Sequence, residues 1–378
     1  MTSTFEIYVV ASPGLEPQML QEVVEAGFPD PVLQQGGVSF EGTWEDVWRA
    51  NLVLRGATRV LARVGEFMAF HLAQLDKRSR KFPWGDVLRS DVPVRVEVAT
   101  SRKSKIYHAG AASQRIEKAL TQEHGITISP DADVAIKVRI DDNKVTISID
   151  TSGESLHKRG HKEAVGKAPM RETLAALMLR ACGYDGNESV LDPMCGSGTF
   201  LIEAAEIAAG LIPGRSRDFA FMKLATFDPA RWSILCRMAN TRKAIDHHFY
   251  GSDRDAGAVR MAHSNATRAG VQNEIDFQNC NASDIQRPDG PPGLVICNPP
   301  YGARISNQKM LFGIYAGLGE KLRKDFAGWR VGLVTSDPAL AKATKLPFKS
   351  KGPPIPHGGI KVWLFQTDPL PDATKGQI

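Results

Sequence analysis

Apolar residues recur along this chain with two periods, and the shifts between them mark its elements. "FEIYVV" (5–10) reads as a strand, "GLEPQMLQEVVEA" (14–26) has helical spacing, and "GVSFEG" (37–42) is a short strand. "TWEDVWRANLVL" opens on a Thr N-cap and an acidic first turn, so a helix follows. Strand–helix–strand–helix in so short a stretch predicts a small α+β unit over residues 1–60. Residues 66–88 show no clear period. "VPVRVEVAT" (92–100) alternates with period two, and a basic loop then leads into a helix that ends near Gly125. Two alternating runs flank "DDNK" within 133–153 and predict a β-hairpin. A second α+β domain is expected over 61–155. A polar, basic stretch and an amphipathic helix from about Pro169 to Ala181, with Gly183 beyond it, form a linker over 156–185.

The pattern then changes to regular alternation of strands and helices. Strands are predicted at 189–194, 249–253, 274–279, 293–298, 330–336 and 359–367, and helices at 199–209, 255–269 and 309–326. Such alternation means a mostly parallel, doubly wound α/β sheet over 186–378. The Pro-rich "FKSKGPPIPHGG" predicts a turn that lets the last two strands pair antiparallel.

Composition narrows the function classes. Apolar content is 42% and charged content 24%, as in an ordinary globular protein. No apolar run is long enough to cross a bilayer, and the N-terminus lacks the basic-then-apolar pattern of a signal peptide, so a cytoplasmic location is expected. Cys182, Cys195, Cys236, Cys280 and Cys297 form no C-x-x-C pair, which suits a reducing compartment and gives no zinc site. Net charge is unevenly spread: 3 Lys/Arg against 8 Asp/Glu over 1–60, 19 against 14 over 61–170, and 25 against 20 over 171–378. The basic excess beyond residue 60 fits an anionic partner such as nucleic acid, but taken alone it is better explained as ordinary surface charge.

Four motifs carry chemistry. In "VLDPMCGSGTFLIEAA" a strand ends at Asp192, a glycine turn follows, and a helix starts near Thr199. Ligands of open α/β sheets bind at such strand ends, where Gly196 and Gly198 let a ligand approach the backbone. The motif is neither G-x-G-x-x-G nor a P-loop. An acid at the strand tip would repel a pyrophosphate but accept from the amino group of an amino-acid moiety, which favours S-adenosylmethionine over NAD or ATP. Asp253, at the tip of the next strand, is placed either to take ribose hydroxyls or to cap the following helix, a role that Asp255 fits better. The segment between Asp192 and Asp253 is longer than the usual interval of about 20 residues, so it must contain an insertion with extra helix. Asp284, in "NASDIQ", is placed either to accept from the adenine amine or to hold a turn.

The fourth motif is "CNPPYGARI" (297–305). Prolines cannot continue the ladder, so the strand stops there. The Asn298 side-chain carbonyl and the Pro299 main-chain carbonyl can each accept one hydrogen of a single –NH2 group. An exocyclic base amine is a poor nucleophile, and two acceptors would orient its lone pair and stabilise charge as it develops. Tyr301 can stack on the base, Pro299 and Pro300 stiffen the loop, and the base must be unpaired or turned out of its helix. The clusters "KRSRK" (77–81) and "SRKSK" (101–105) fit solvated faces as readily as binding surfaces. "LHKRGHK" (156–162) reads as a path for phosphates, with His157 and His161 facing RNA or merely exposed.

With these residues in place, the chain resembles the THUMP-domain class I RNA methyltransferase family, in particular its bacterial 23S rRNA (guanine-N2)-methyltransferase members. "DPMCGSGTFLIEAA" and "NPPYGARI" resemble the amino-methyltransferase motifs, "YVVASPGLEPQMLQEV" a ferredoxin-like segment, and "VTISIDTSGESLHKRGHK" with "APMRETLAALMLRACGY" the THUMP domain and connecting helix. The resemblance implies a seven-stranded Rossmann-like methyltransferase domain with a C-terminal antiparallel hairpin over 186–378. It is preceded by a ferredoxin-like segment over 1–60, a THUMP RNA-binding domain over 61–155 and a linker over 156–185. It implies S-adenosylmethionine as cofactor, held by Asp192, Pro193, Met194, Cys195, Gly196, Ser197, Gly198 and Thr199 with Asp253, Asp284 and Asn298. Asn298, Pro299, Pro300 and Tyr301 would be catalytic, without a metal. The expected reaction is methyl transfer to guanine N2 of 23S rRNA, by a form with a single methyltransferase domain. Alternatives are a tRNA guanine-N2 methyltransferase, an adenine-N6 methyltransferase, and an RNA-binding assembly factor without turnover.

Overall fold

The computed structural model describes residues 4–163, 170–239, 241–301, 308–349 and 351–372. In chain order its elements begin with β1 (Phe5–Val10), α1 (Glu16–Glu25), β2 (Val32–Gln34), β3 (Gly37–Gly42), α2 (Trp44–Val53), β4 (Arg59–Met68) and α3 (Leu72–Arg80). They continue with β5 (Val94–Thr100), α4 (Ala109–His124), β6 (Val134–Asp141), β7 (Lys144–Asp150), α5 (Glu172–Ala181), β8 (Val190–Asp192), α6 (Thr199–Ala208) and α7 (Pro229–Ala239). The chain ends with β9 (Phe249–Asp253), α8 (Ala256–Ala269), β10 (Ile275–Asn279), β11 (Leu294–Cys297), α9 (Gln308–Asp325), β12 (Arg330–Thr335), α10 (Pro338–Ala343), β13 (Ile355–His357) and β14 (Ile360–Gln366). Two compact units result: Met1–Ala11 with Leu20–Leu156 and Arg217–Ala239, and Ser12–Met19 with His157–Ser216 and Asn240–Ile378.

The first unit is built on one sheet of order β2-β3-β1-β4-β7-β6-β5. Its sheet runs unbroken across residue 60, where the hydrophobic pattern suggested a boundary. The cause is β4, which pairs antiparallel with β1 on one side and with β7 on the other. Periodicity misses this strand because its register shifts between Arg63 and Gly65, and a bulge moves side chains out of phase. Gly65 is required there, since a Cβ would lie 2.6 Å from the Phe82 ring. The expected hairpin joins β6 and β7 through Asp142 and Asn143, whose positive φ values (48° and 63°) suit a tight two-residue turn.

The long interval between Asp192 and Asp253 does contain a helix, α7. Residues 217–239 nonetheless pack in the first unit, although their sequence position lies inside the α/β half. Aromatic burial explains this. Phe221 is fully buried, stacks with Phe219 at 5.2 Å and Trp48 at 6.1 Å, and meets Trp232 edge-on at 5.1 Å. The Phe221 N–H donates to the Thr151 carbonyl (3.0 Å), which adds this segment to the end of β7.

The second unit holds a sheet of order β10-β9-β8-β11-β12-β14-β13. β10, β9, β8, β11 and β12 are parallel, while β14 runs antiparallel to both β12 and β13. Strand order reverses at β8, with β9 and β10 to one side and β11 and β12 to the other. Part of the expected Pro-rich turn is itself strand: β13 returns to β14 through Gly358 and Gly359, both at positive φ. α5 begins at Glu172, and Pro169, where the spacing starts the helix, lies outside the described residues.

Phe221→Ala should lower unfolding stability by about 3–5 kcal/mol, because a fully buried aromatic leaves a cavity among ring neighbours. Chemical denaturation monitored by tryptophan fluorescence measures the loss; an unchanged midpoint would show that the cluster does not hold the 217–239 segment.

Candidate active site

A cavity of about 700 Å³ opens at the carboxyl ends of β8, β9 and β11, where the strand order reverses. Asp192, Pro193, Met194, Cys195, Gly196, Ser197 and Thr199 line it, together with Asp253, Asn298 and Pro300. Gly198, Asp284, Pro299 and Tyr301 do not.

The turn after β8 is held by its backbone. Cys195 N donates to Ser252 O (2.9 Å), Gly198 N to Cys195 O (2.8 Å), and Gly196 N to the Asp253 carboxylate (3.1 Å). From α8, the Asn265 amide donates to Ser197 O (3.1 Å). Gly198 sits at φ +83°, and a Cβ there would be 3.2 Å from that of Ala262, so both conformation and helix packing demand glycine. At Gly196 a Cβ would meet nothing within 4 Å, and this stretch of backbone is open to the cavity.

Asp192 is 2% exposed, and its carboxyl accepts from Met194 N (3.1 Å). Burial pushes its pKa up to about 8 against the lowering effect of the Met194 bond, and the negative charge of Asp253 adds a smaller upward push. Asp192 is therefore largely protonated at neutral pH. Asp253 accepts from Gly196 N on one oxygen and Asp255 N (2.9 Å) on the other, and Asp255 caps α8 by accepting from Gly257 N (2.7 Å). Asp284 is bonded by Asn281 Nδ2 and Ser283 Oγ, both at 3.0 Å, which lower its pKa; its neighbours Asn281, Ala282 and Ser283 reach the cavity instead.

At the end of β11, Asn298 Oδ1 is buried without a hydrogen-bond partner among the described residues. A buried amide oxygen left so costs about 1–3 kcal/mol, which a ligand donor would recover. Tyr301 is 1% exposed, so its ring is packed inside rather than displayed to a base. The rest of the motif, Gly302 to Ile305, lies outside the described residues. Burial raises the thiol pKa values of Cys195 and Cys297 well above normal, so neither supplies a thiolate. Among the described residues no group of three His, Cys, Asp or Glu side chains is placed to hold a metal.

Several residues at the site carry no motif. Met310, Gly313, Ile314 and Gly317 share one face of α9 and form a cavity wall. Tyr315 donates to Pro300 O (3.3 Å) and lies 3.2 Å from Thr335 Oγ1, bracing the loop after β11. The i, i+3, i+4, i+7 spacing on α9 is a readable signal, but it signals burial and not a binding wall. "LHKRGHK" departs from expectation. Arg159 is 2% exposed and pairs with buried Glu203 (3.2 Å), and His161 is 5% exposed with Nε2 3.8 Å from Glu206. His157 is held near pKa 4 by burial and then by the charges of Arg171, Lys162, Arg159 and Lys158. Arg159 faces inward because α6 presents buried Glu203, which requires a cation, while burial lowers the pKa of His161 against the raising effect of Glu206.

The doubly wound sheet, the glycine turn after its first strand and the N-P-P-Y tip on the adjacent one define a methyltransferase of the Rossmann-like class. The chain belongs to the RMKL-like methyltransferase domain family (UPF0020), whose model matches residues 159–352. The model of the RlmL ferredoxin-like domain matches residues 6–61. Ribosomal RNA large subunit methyltransferase K/L of Aliivibrio salmonicida is 34% identical over 351 residues, covering 89% of this chain and 50% of that protein. The chain thus spans about half the length of the curated relatives it matches. Among solved structures, a protein described as a methyltransferase and complexed with SAH superposes with a TM-score of 0.87 at 28% identity, over 98% of this chain and 99% of that one. One from Listeria monocytogenes, described as a predicted N6-adenine-specific DNA methylase, gives 0.84 at 29% identity over 96% of each chain.

Asp192 shifts stability with pH. Its folded pKa, about 8, lies above the unfolded value of 3.8, so its contribution is full below the unfolded value and is lost as pH rises through about 8. The slope is steepest between those two values, so Asp192→Asn should flatten the fall in Tm between pH 5 and pH 8. Parallel pH-dependent slopes in the two proteins would show that Asp192 is already ionised at pH 7.

Proposed function

We propose that this chain transfers a methyl group from S-adenosylmethionine to an exocyclic base amine in RNA, and that the target is guanine N2 of large-subunit ribosomal RNA. One observation carries the reading: the orphaned, buried Asn298 Oδ1 faces the same cavity as the glycine turn after β8. That oxygen needs a donor, and an amine placed there lies beside the cofactor loop.

The cavity residues fit S-adenosylmethionine. Gly196 offers open backbone, Asp253 keeps acceptor capacity for ribose hydroxyls, and Asp192 is a buried acceptor for an ammonium, losing its proton as the cation arrives. When bound, that cofactor supplies an electrophilic methyl group on a sulfonium. Asn298 Oδ1 and the Pro299 carbonyl are proposed to accept the two amine hydrogens, aiming the lone pair and stabilising the developing positive charge. Pro300, fixed through its carbonyl by Tyr315, keeps the loop in place. Tyr301 anchors the loop from within, and stacking on a base requires its ring to turn into the cavity. Asp284 acts through the 281–283 backbone it holds.

The RNA assignment draws on the relatives named as ribosomal RNA large subunit methyltransferases and on the ferredoxin-like match. It carries the domain proposal with it: a ferredoxin-like segment over 1–60, a THUMP RNA-binding domain over 61–155, a linker over 156–185 and the methyltransferase domain over 186–378. It also carries a cytoplasmic location, where ribosomal RNA is available; no helix among the described residues is long and apolar enough to cross a membrane. An adenine-N6 reading draws on the Listeria monocytogenes structure described as a predicted N6-adenine-specific DNA methylase, and two acceptors grip any –NH2 group alike.

Asn298→Ala should lower kcat by roughly 100- to 1000-fold while S-adenosylhomocysteine still binds. Full turnover by this variant would sink the amine clamp. Mass spectrometry of nucleosides from RNA treated with the enzyme should show N2-methylguanosine; N6-methyladenosine in its place would overturn the target assignment.

A further inference from the structure

Lys162 closes the basic stretch "LHKRGHK", yet its ammonium is turned away from solvent and bound on three sides. Nζ donates to the Met170 carbonyl (2.9 Å) and to Thr199 Oγ1 (2.9 Å), and pairs with Glu172 at 3.0 Å. The Lys162 and Glu172 side chains are 10% and 6% exposed. An ammonium has three hydrogens, and these partners use all of them. Two of the partners, Met170 and Thr199, line the cavity, whereas Lys162 does not.

The consequence falls on Thr199. A hydroxyl that accepts from a cation keeps one hydrogen to give. Among the described residues no acceptor takes it, and Thr199 is 6% exposed, so the hydrogen has the cavity to point into. Thr199 is also the first residue of α6, where the helix end adds free N–H groups and positive potential. A hydroxyl donor, held in orientation by an ammonium that Glu172 already neutralises, and free helix N–H groups suit a carboxylate. Asp192, at the other end of the same short turn, suits an ammonium. Both groups sit on one carbon in an α-amino acid.

We propose that Lys162 is a positioning residue of the cofactor site: by donating to Thr199 Oγ1 it directs the Thr199 hydroxyl into the cavity to hold the α-carboxylate of the amino-acid moiety. The assignment rests on S-adenosylmethionine as the cofactor. Lys162 also ties the entry of α5 to the entry of α6, so the carboxylate pocket is set by the segment before the sheet as well as by the turn after β8.

Calorimetry with two probes tests it: S-adenosylhomocysteine, and 5′-methylthioadenosine, which lacks the amino and carboxyl groups. Lys162→Met should weaken S-adenosylhomocysteine binding by roughly ten- to a hundredfold, the range of a charge-linked hydrogen bond, and leave 5′-methylthioadenosine binding unchanged. A general distortion of the turn would weaken both ligands together, and that result, like no change in either, overturns the proposal. If Lys162→Met does not fold, Thr199→Val should show the same selective loss, and equal effects on the two probes overturn it again. A wild-type protein that binds neither probe overturns the cofactor reading itself, an outcome distinct from failure of the Lys162 role.

Discussion

Two residue pairs join β8 to β11, Val190 with Leu294 and Leu191 with Val295, and the site depends on this short parallel contact. It brings Asp192 and Asn298 to neighbouring strand ends although they lie far apart in sequence. The strands meet so closely at their start that Gly293 has no alternative: a Cβ there would fall 2.1 Å from Ser189 O. Leu294 N donates to that same carbonyl (3.0 Å), which sets the register. A slip of one residue would move Asn298 away from the turn and invert the faces of β11. Asn298 and the turn after β8 are thus coupled by backbone geometry before any side chain contributes.

Around that contact the site is a set of buried polar groups with different electrostatic solutions. Asp192 meets burial by keeping its proton. Glu203 and Glu206 on α6 meet it by recruiting Arg159 and Arg215 from flanking segments. Glu172 is pushed up by burial and pulled back by Lys162. Asn298 Oδ1 has no such solution among the described residues, and an unsatisfied atom in the lining of a cavity is where a ligand gains most.

Strands of the second unit were legible because they are short apolar runs ended by turn residues, and Asp192, Asp253 and Asn298 were legible because each sits at such an end. Three features were not. β4 is hidden by its bulge, which breaks the period-two signal. The placement of 217–239 depends on aromatic contacts with Trp48, a partner that no local window contains. The inward turn of Arg159 is set by a glutamate on an apolar helix, where composition gives a basic segment every reason to face solvent. Tyr301 shows a related limit: a sequence assigns an aromatic to a loop, but its rotamer and burial come from packing.

The raised pKa of Asp192 also bears on the order in which two partners reach the cavity. An ionised carboxylate at the base of the site would repel a polyanion at its mouth until a cation had arrived to cancel it. Kept neutral by its own burial, Asp192 places no such toll on a phosphate backbone. The Asp192 charge appears only when an ammonium is there to meet it, and until then Asp253 is the carboxylate whose charge an approaching polyanion meets in the cavity.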